Sequence, residues 1–346
     1  MGKDIKLMKR NPILFDSLEL FTSISREKKL TLDNSDDIAI FAQEINETLE
    51  NRISPKLLSG KRIEKMFSYV IASLGKCKLI KSEDGGDIFT DENVSIPDYR
   101  IILDNNNQFL VEVKSIYQKE ITSKYELSIK EFNKYKAYSN LVNQKLYFAI
   151  FWTRCKTWTV VDSDKFMKEN NNMTISLKTA ILNNHMNLFG DYVVATIPPL
   201  SIRIYSDKNS DRTIKDSHFN LTIKEVKFYY NNILITDKEE QNIIYNLILF
   251  GKWCENCSLH YENDTKNIDY IEFNYEPEEY DKKQEFAIVA NASEIISNQF
   301  VYSTSNKEGK INKIVPFGFS NKFGLKIKNP YIKKDLPLWI FYIQNK

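Results

Sequence analysis

The stretch from Ile96 to Lys114 limits what this chain can become more than any other. It reads Ile-Pro-Asp-Tyr-Arg-Ile-Ile-Leu, then Asp-Asn-Asn-Asn-Gln, then Phe-Leu-Val-Glu-Val-Lys. Two apolar-rich runs around a polar break predict a strand, a turn and a second strand. In the second run Phe109, Val111 and Val113 share one face, and Leu110, Glu112 and Lys114 the other. A carboxylate and an amine thus stand two residues apart on an apolar strand, where charged side chains need a reason. The pairing register decides whether Asp98 joins them. With Leu103 opposite Phe109, Asp98 meets Lys114. With Leu103 opposite Asn107, it meets Glu112. With Leu103 opposite Gln108 the faces are exchanged and Asp98 turns away.

The flanking sequence supplies the layers such a hairpin needs. Ser35 or Asp36 caps a helix expected to reach about Asn51. Pro55 interrupts, and a second helix is expected after Gly60. Its apolar stripe is Ile63, Met66, Phe67, Val70, Ile71 and Leu74, and Gly75 ends it. Glu64 lies on the flank of that stripe. Lys78–Ile80 reads as a short strand and 83–87 as a loop. After the hairpin, residues 124–143 read as a helix decorated by Lys130, Lys134 and Lys136. Leu146–Trp152 is a continuous apolar run, typical of a buried strand, and 157–161 is another strand. This order predicts an α/β layer with a mixed sheet. Residues 169–190 are Asn-rich and are expected to form a linker plus a helix over 177–188. From about 190 onward, strands near 192–196, 201–205, 221–230, 268–275 and 336–343, with a helix over 237–250, predict a second, α+β domain. Nothing in its sequence reveals its role.

With 346 residues the chain is long enough for two domains. The division expected is an N-terminal helical extension over 1–54, a first α/β domain over 55–168 and the α+β domain over 190–346. The net charge of +2 excludes a globally basic nucleic-acid binder, so any such surface is a local patch. The four cysteines are sparse for the length, which argues against a disulfide-built secreted fold. No apolar run approaches a membrane span and the N-terminus has no hydrophobic signal region, so a cytoplasmic protein is the default expectation. Gly60-Lys61 is not a phosphate loop, because Pro55 stands where a glycine is needed and Arg62 where Ser or Thr is needed. His185, His218 and His260 are widely spaced, which disfavours histidine-metal nuclease chemistry and leaves a Ser-His-Asp hydrolase unsupported.

Asp98, Glu112 and Lys114 suit phosphodiester hydrolysis. Two carboxylates close together form a hard oxygen site for Mg²⁺, which keeps waters and takes phosphate oxygens as further ligands. The metal polarises the phosphate and lowers the pKa of a bound water. The lysine can orient or deprotonate that water, or stabilise charge developing on the phosphate. Asp87, after Gly85-Gly86, is a rival ligand, although a loop acid with no role is the simpler reading.

Pro97-Asp98 followed by Glu112-Val113-Lys114 on an apolar strand resembles the PD-(D/E)XK nuclease superfamily, the restriction-endonuclease-like fold. The order of a leading helix with Glu64, a hairpin bearing the motif, a helix and a further strand matches as well, over roughly residues 55–165. The resemblance implies a restriction-endonuclease-like mixed sheet flanked by helices and a metal-dependent endodeoxyribonuclease. Asp98 and Glu112 would bind Mg²⁺, with Mn²⁺ able to substitute. The Val113 carbonyl would be a third ligand, Glu64 an accessory acid and Lys114 the catalytic lysine. DNA would be the partner, in restriction, antiviral defence or DNA processing, with a homodimer or a partner subunit as further expectations. Many members carry a polar residue on the helix after the lysine strand; Lys130, Lys134 and Tyr135 are the candidates, and no pattern selects one. Lys119, Lys124, Lys130, Lys134 and Lys136 are the expected phosphate contacts. A catalytically inactive nuclease fold acting as a binding or assembly subunit, and a ribonuclease, are the alternatives.

Two signals lie outside this scheme. Cys254-Glu-Asn-Cys257 with His260 offers three zinc ligands, but no second cysteine pair completes the site, and unligated cysteines are the default. Aromatic residues such as Phe228-Tyr229-Tyr230 are expected to serve the core rather than to stack on bases.

Overall fold

The computed structural model describes residues 24–25, 28–31, 33–51, 54–83, 89–210, 214–215, 218–219, 221–261, 267–277, 281, 283–317, 323–327 and 331–342, with backbone alone over 48–51 and at 214–215 and 218–219. Asp87, with Gly85 and Gly86, lies outside these residues. Helix α1 (Ser35–Asn51) buries none of its described side chains. Helix α2 (Pro55–Leu74) starts earlier than the sequence reading placed it. Pro55 opens the helix rather than interrupting it: its fixed φ suits the first turn, and the Ser54 side chain accepts from the Leu57 N–H at 3.1 Å. Gly60 rides inside the helix, and Gly75 closes it at φ 77°.

The first sheet is built from β1 (Cys77–Ser82), β2 (Tyr99–Leu103) and β3 (Gln108–Ile116). Next come β4 (Lys124–Ser128), which belongs to another sheet, and helix α3 (Ile129–Leu141). Strands β5 (Lys145–Trp152) and β6 (Thr157–Asp162) complete the first sheet, in the order β1-β2-β3-β5-β6. Only β3–β5 is parallel, so the sheet is mixed, and α3 is the crossover between those two strands. The expected helix over 124–143 is corrected at its start. Lys124–Ser128 alternates exposed and buried side chains and pairs as a strand, and Ser128 caps α3 by accepting from the Glu131 N–H at 3.2 Å. Strands β7 (Met167–Glu169) and β8 (Asn172–Ser176) extend β4 into a three-stranded sheet, followed by a short helix α4 (Leu177–Leu182). The Asn-rich segment is therefore ordered structure rather than a linker, and the helix expected to reach 188 stops at Leu182. Asn184 explains the stop. Its side chain accepts from the Val160 N–H at 2.9 Å and donates to the Trp158 carbonyl at 3.2 Å, pairing with the edge of β6 as a strand would.

The remaining chain forms β9 (Val193–Thr196), β10 (Leu200–Ser206), β11 (Ile223–Tyr230), β12 (Ile233–Ile235) and helix α5 (Lys238–Phe250). It continues through β13 (Cys254–Tyr261), β14 (Ile268–Glu276), β15 (Ala287–Asn291), helix α6 (Ala292–Thr304) and β16 (Leu338–Phe341). These strands make an antiparallel sheet ordered β12-β11-β10-β14-β13 and a three-stranded sheet ordered β15-β9-β16. Among the described residues no helix is long and apolar enough to cross a membrane.

The cores follow from the alternation. One face of the first sheet (Phe109, Val111, Val113, Tyr147, Ala149, Phe151) packs on the α2 stripe of Met66, Phe67, Val70 and Ile71. The other face (Leu110, Phe148, Ile150, Trp152) packs on α3 and the β4–β8 sheet through Phe132, Tyr135, Tyr125 and Ile175. Helix α6 bridges the halves of the chain. Ile296 and Phe300 enter the α2 core, whereas Ile295 enters the core beneath α5 with Ile243, Ile244 and Leu247. Arg62 fixes this contact. Buried on α2, it donates from Nε to Thr304 Oγ1 at 2.9 Å, and from Nη2 to the Val301 carbonyl at 2.9 Å and Ser305 Oγ at 2.8 Å.

Candidate active site

The hairpin pairs Tyr99 with Val111 and Ile101 with Phe109, and the Leu103 N–H donates to the Asn107 carbonyl at 2.9 Å. This is the even register with Leu103 opposite Asn107, one of the two that bring Asp98 to the motif. The turn sets it. Asn106 adopts φ 66°, a left-handed conformation that asparagine tolerates, and Asn105 Oδ1 accepts from the Asn107 N–H at 3.0 Å.

Asp98 therefore stands across from Glu112. The Asp98 N–H donates to Glu112 Oε2 at 3.2 Å, and the Val113 N–H donates to Asp98 Oδ2 at 2.7 Å. Glu112 is only 3% exposed on a central strand. Its Oε1 receives the Tyr135 hydroxyl at 2.8 Å and the Lys114 ammonium at 2.5 Å. The Lys114 ammonium also lies 5.6 Å from the centre of the Tyr135 ring. Among the described residues Asp98 Oδ1 accepts no hydrogen bond. The structure thus brings Asp98, Glu112, Val113 and Lys114 together at one end of the first sheet.

The electrostatics are those of two acids crowded out of water. Burial pushes the Asp98 carboxyl up to about 7, and the charges of Glu112 and Glu64 push the same way. The Val113 N–H and Lys114 pull back without cancelling them. Burial and the neighbouring Glu112 charge raise the Tyr135 phenol far above its ordinary value, so it remains a donor throughout the physiological range.

Glu64 reaches the neighbourhood from α2. The Tyr99 hydroxyl donates to its backbone carbonyl at 3.1 Å, and its carboxylate pairs with Lys61 at 2.8 Å. Among the described residues no three His, Cys, Asp or Glu side chains converge to hold a metal ion, so Glu64 does not close a three-acid cluster with Asp98 and Glu112. The five lysines expected to meet phosphates lie on a loop, on β4 and on α3. Lys119 follows β3 in a loop. Lys124 lies on β4 and pairs with Glu169 at 2.7 Å. Lys130 and Lys134, four residues apart, share one side of α3, while Lys136 faces elsewhere and pairs with Asp164 at 3.0 Å.

Tyr135 is the side chain at this cluster that the sequence did not single out. It stands among three candidates on α3, and only the packing of that helix beneath β3 selects it. Cys254 and Cys257 lie on strand β13, three residues apart and so on opposite faces, with free thiols. His260 stacks on Tyr270 at 4.3 Å and offers the same Nε2 to Ser258 and to Glu272.

No protein-family profile matches the chain. No curated protein matches it. Among solved structures it is similar to Hjc of Archaeoglobus fulgidus, a Holliday junction resolvase from an archaeal hyperthermophile. That similarity covers 37% of this chain and 96% of the resolvase chain, at 16% sequence identity and a TM-score of 0.30.

Proposed function

We propose that the protein is a divalent-metal-dependent endonuclease that hydrolyses DNA phosphodiester bonds, with Asp98, Glu112 and Lys114 as its catalytic group. The observation that carries this reading is the buried Glu112, set across the hairpin from Asp98 and in contact with Lys114. Two carboxylates in a partly desolvated site, one of them raised to about 7, form an arrangement that a hard cation relieves. Asp98, Glu112 and the Val113 carbonyl supply oxygens alone, which suits Mg²⁺ or Mn²⁺ retaining several waters. When bound, such an ion polarises the phosphate and acidifies a water.

The chain's own groups do the positioning. Tyr135 and the Asp98 N–H hold the two Glu112 oxygens, and the Val113 N–H fixes Asp98. Lys114, with its side chain 30% exposed, presents donors to a phosphate at the mouth of the site. Tyr135→Phe keeps the ring but removes a donor behind a metal ligand. It is expected to raise the Mg²⁺ concentration needed for half-maximal activity by roughly 10- to 100-fold, with the circular dichroism spectrum unchanged. An unaltered metal dependence would remove Tyr135 from the site.

The direct test is incubation of plasmid, linear DNA and RNA with the protein in Mg²⁺, Mn²⁺ or EDTA. Metal-dependent cleavage of DNA is the expected result. Cleavage of RNA alone would make the protein a ribonuclease, and no cleavage of any of them would overturn the hydrolytic reading.

A further inference from the structure

The second half of the chain delivers a basic hairpin to the same end of the first sheet as the candidate active site. Helix α2 points its N-terminal half at that end, where the Tyr99 hydroxyl reaches the Glu64 carbonyl. Its other end returns through Gly75 into β1, whose Cys77 pairs with Leu103 beside the hairpin turn. Arg62, two residues before Glu64, anchors the last turn of α6 through Val301, Thr304 and Ser305. The chain emerging from α6 therefore starts beside the active-site half of α2.

What emerges is a formed hairpin. Ser305 bridges to Ile311, the Asn306 N–H donates to the Lys310 carbonyl at 2.9 Å, and Gly309 turns at φ 77°. Asn306 Oδ1 accepts from the N–H groups of Glu308 and Lys310 at 3.1 and 2.8 Å. The N–H groups of Asn312 and Lys313 return to the Thr304 carbonyl, tying the far limb to the helix end. Residues 306–317 carry three lysines and one glutamate; Glu308 pairs with Lys310 at 3.3 Å. Lys307 and Lys310 are exposed. Phe317 is 90% exposed, with the Lys313 ammonium 4.4 Å from its ring centre. An exposed phenylalanine beneath an ammonium, on a cationic turn, belongs to neither of the cores that flank it.

We propose that the 305–317 hairpin is a contact for duplex DNA, with Lys307, Lys310 and Lys313 meeting backbone phosphates on the flank of α2 away from Asp98. The proposal rests on the nuclease reading for its substrate. Positive charge on a preformed turn complements the phosphate backbone, and fixing the hairpin to α2 keeps it in register with the scissile position. Phe317 lies beside the proposed path, where its ring can meet a sugar or a base edge.

The test is binding of a labelled duplex to the full chain in EDTA, where cleavage does not intervene, followed by cleavage in Mg²⁺. Lys307→Ala/Lys310→Ala/Lys313→Ala is expected to weaken binding at least tenfold. It should also flatten the dependence of log K on log salt by about 2 to 3, near 0.9 per lost phosphate contact. The control Lys224→Ala/Lys238→Ala/Lys283→Ala removes equal charge from other exposed positions of the second half and should change binding less than twofold. Equal losses in the two triple variants, or none in the hairpin variant while the wild type binds and cleaves, would overturn the hairpin proposal and leave the nuclease reading standing. Hairpin-dependent binding by a protein that never cleaves would do the reverse. A wild type that neither binds nor cleaves duplex DNA removes both.

Discussion

Asp98→Asn is expected to abolish DNA cleavage and, without divalent metal, to make the protein more stable. Both effects come from one geometry. Asp98 is held beside the buried Glu112 by the Val113 N–H, and burial with the neighbouring charge raises its carboxyl to about 7. Its value in the unfolded chain is near 3.9. A group raised on folding gives stability that is complete below the unfolded value and is lost as pH climbs through the folded one. The metal-free wild type should therefore lose on the order of 4 kcal/mol between pH 4 and pH 8 from this group. The amide of the variant cannot ionise, still accepts from Val113, and relieves Glu112 of a like charge. In EDTA at pH 8 the variant should unfold at a higher urea midpoint than the wild type, by an amount worth about 1–3 kcal/mol. Adding Mg²⁺ should raise the wild-type midpoint and leave the variant's unchanged. Activity should fall by about a thousandfold or more, the scale of losing a group that acts in the transition state. A variant that still cleaves, or that is less stable in EDTA at pH 8, would show that Asp98 is an ordinary structural acid.

Arg62→Ala should cost about 3 kcal/mol of stability, measured as a lower urea midpoint at unchanged slope. Among the described residues the buried guanidinium has no carboxylate partner; it is tolerated because three oxygens at the end of α6 accept from it and because the negative end of that helix dipole faces it. Truncation leaves Thr304, Ser305 and the Val301 carbonyl short of donors and opens a gap between α2 and α6. Arg62→Lys should recover less than half of the loss, since one ammonium cannot span acceptors arranged for a planar fork. A midpoint within experimental error of the wild type for Arg62→Ala would mean that α6 is held by apolar packing alone.

The sequence made the hairpin and its faces legible because period-2 alternation is unambiguous where one face carries Val111 and Val113 and the other Glu112 and Lys114. It left the register open between two even solutions and an odd one that would turn Asp98 away, and the turn with its left-handed Asn106 chose the one that sets Asp98 against Glu112. Local signals also misled. Pro55 read as a breaker although, preceded by Ser54, it is a helix start, and Lys124–Ser128 carried enough helical spacing to hide a strand whose partner lies more than forty residues on, at Asn172–Ser176. Tyr135 could not be selected because its hydrogen bond to Glu112 depends on how α3 lies under β3. Arg62 was legible only as a residue that spoils a phosphate loop. Its acceptors at the end of α6 are remote in sequence, and no local periodicity points to them.

The sharing of α6 between cores also bears on when the protein becomes whole during synthesis. Phe67 and Val111 leave the ribosome long before Ile296 and Phe300, yet all four line one core. Until α6 is made, the sheet that carries Asp98 and Glu112 lacks part of its apolar cover, and Arg62 has no acceptors. A nascent or prematurely terminated chain would thus carry Asp98, Glu112 and Lys114 in an unfinished scaffold, so that completion of translation itself delays their final arrangement.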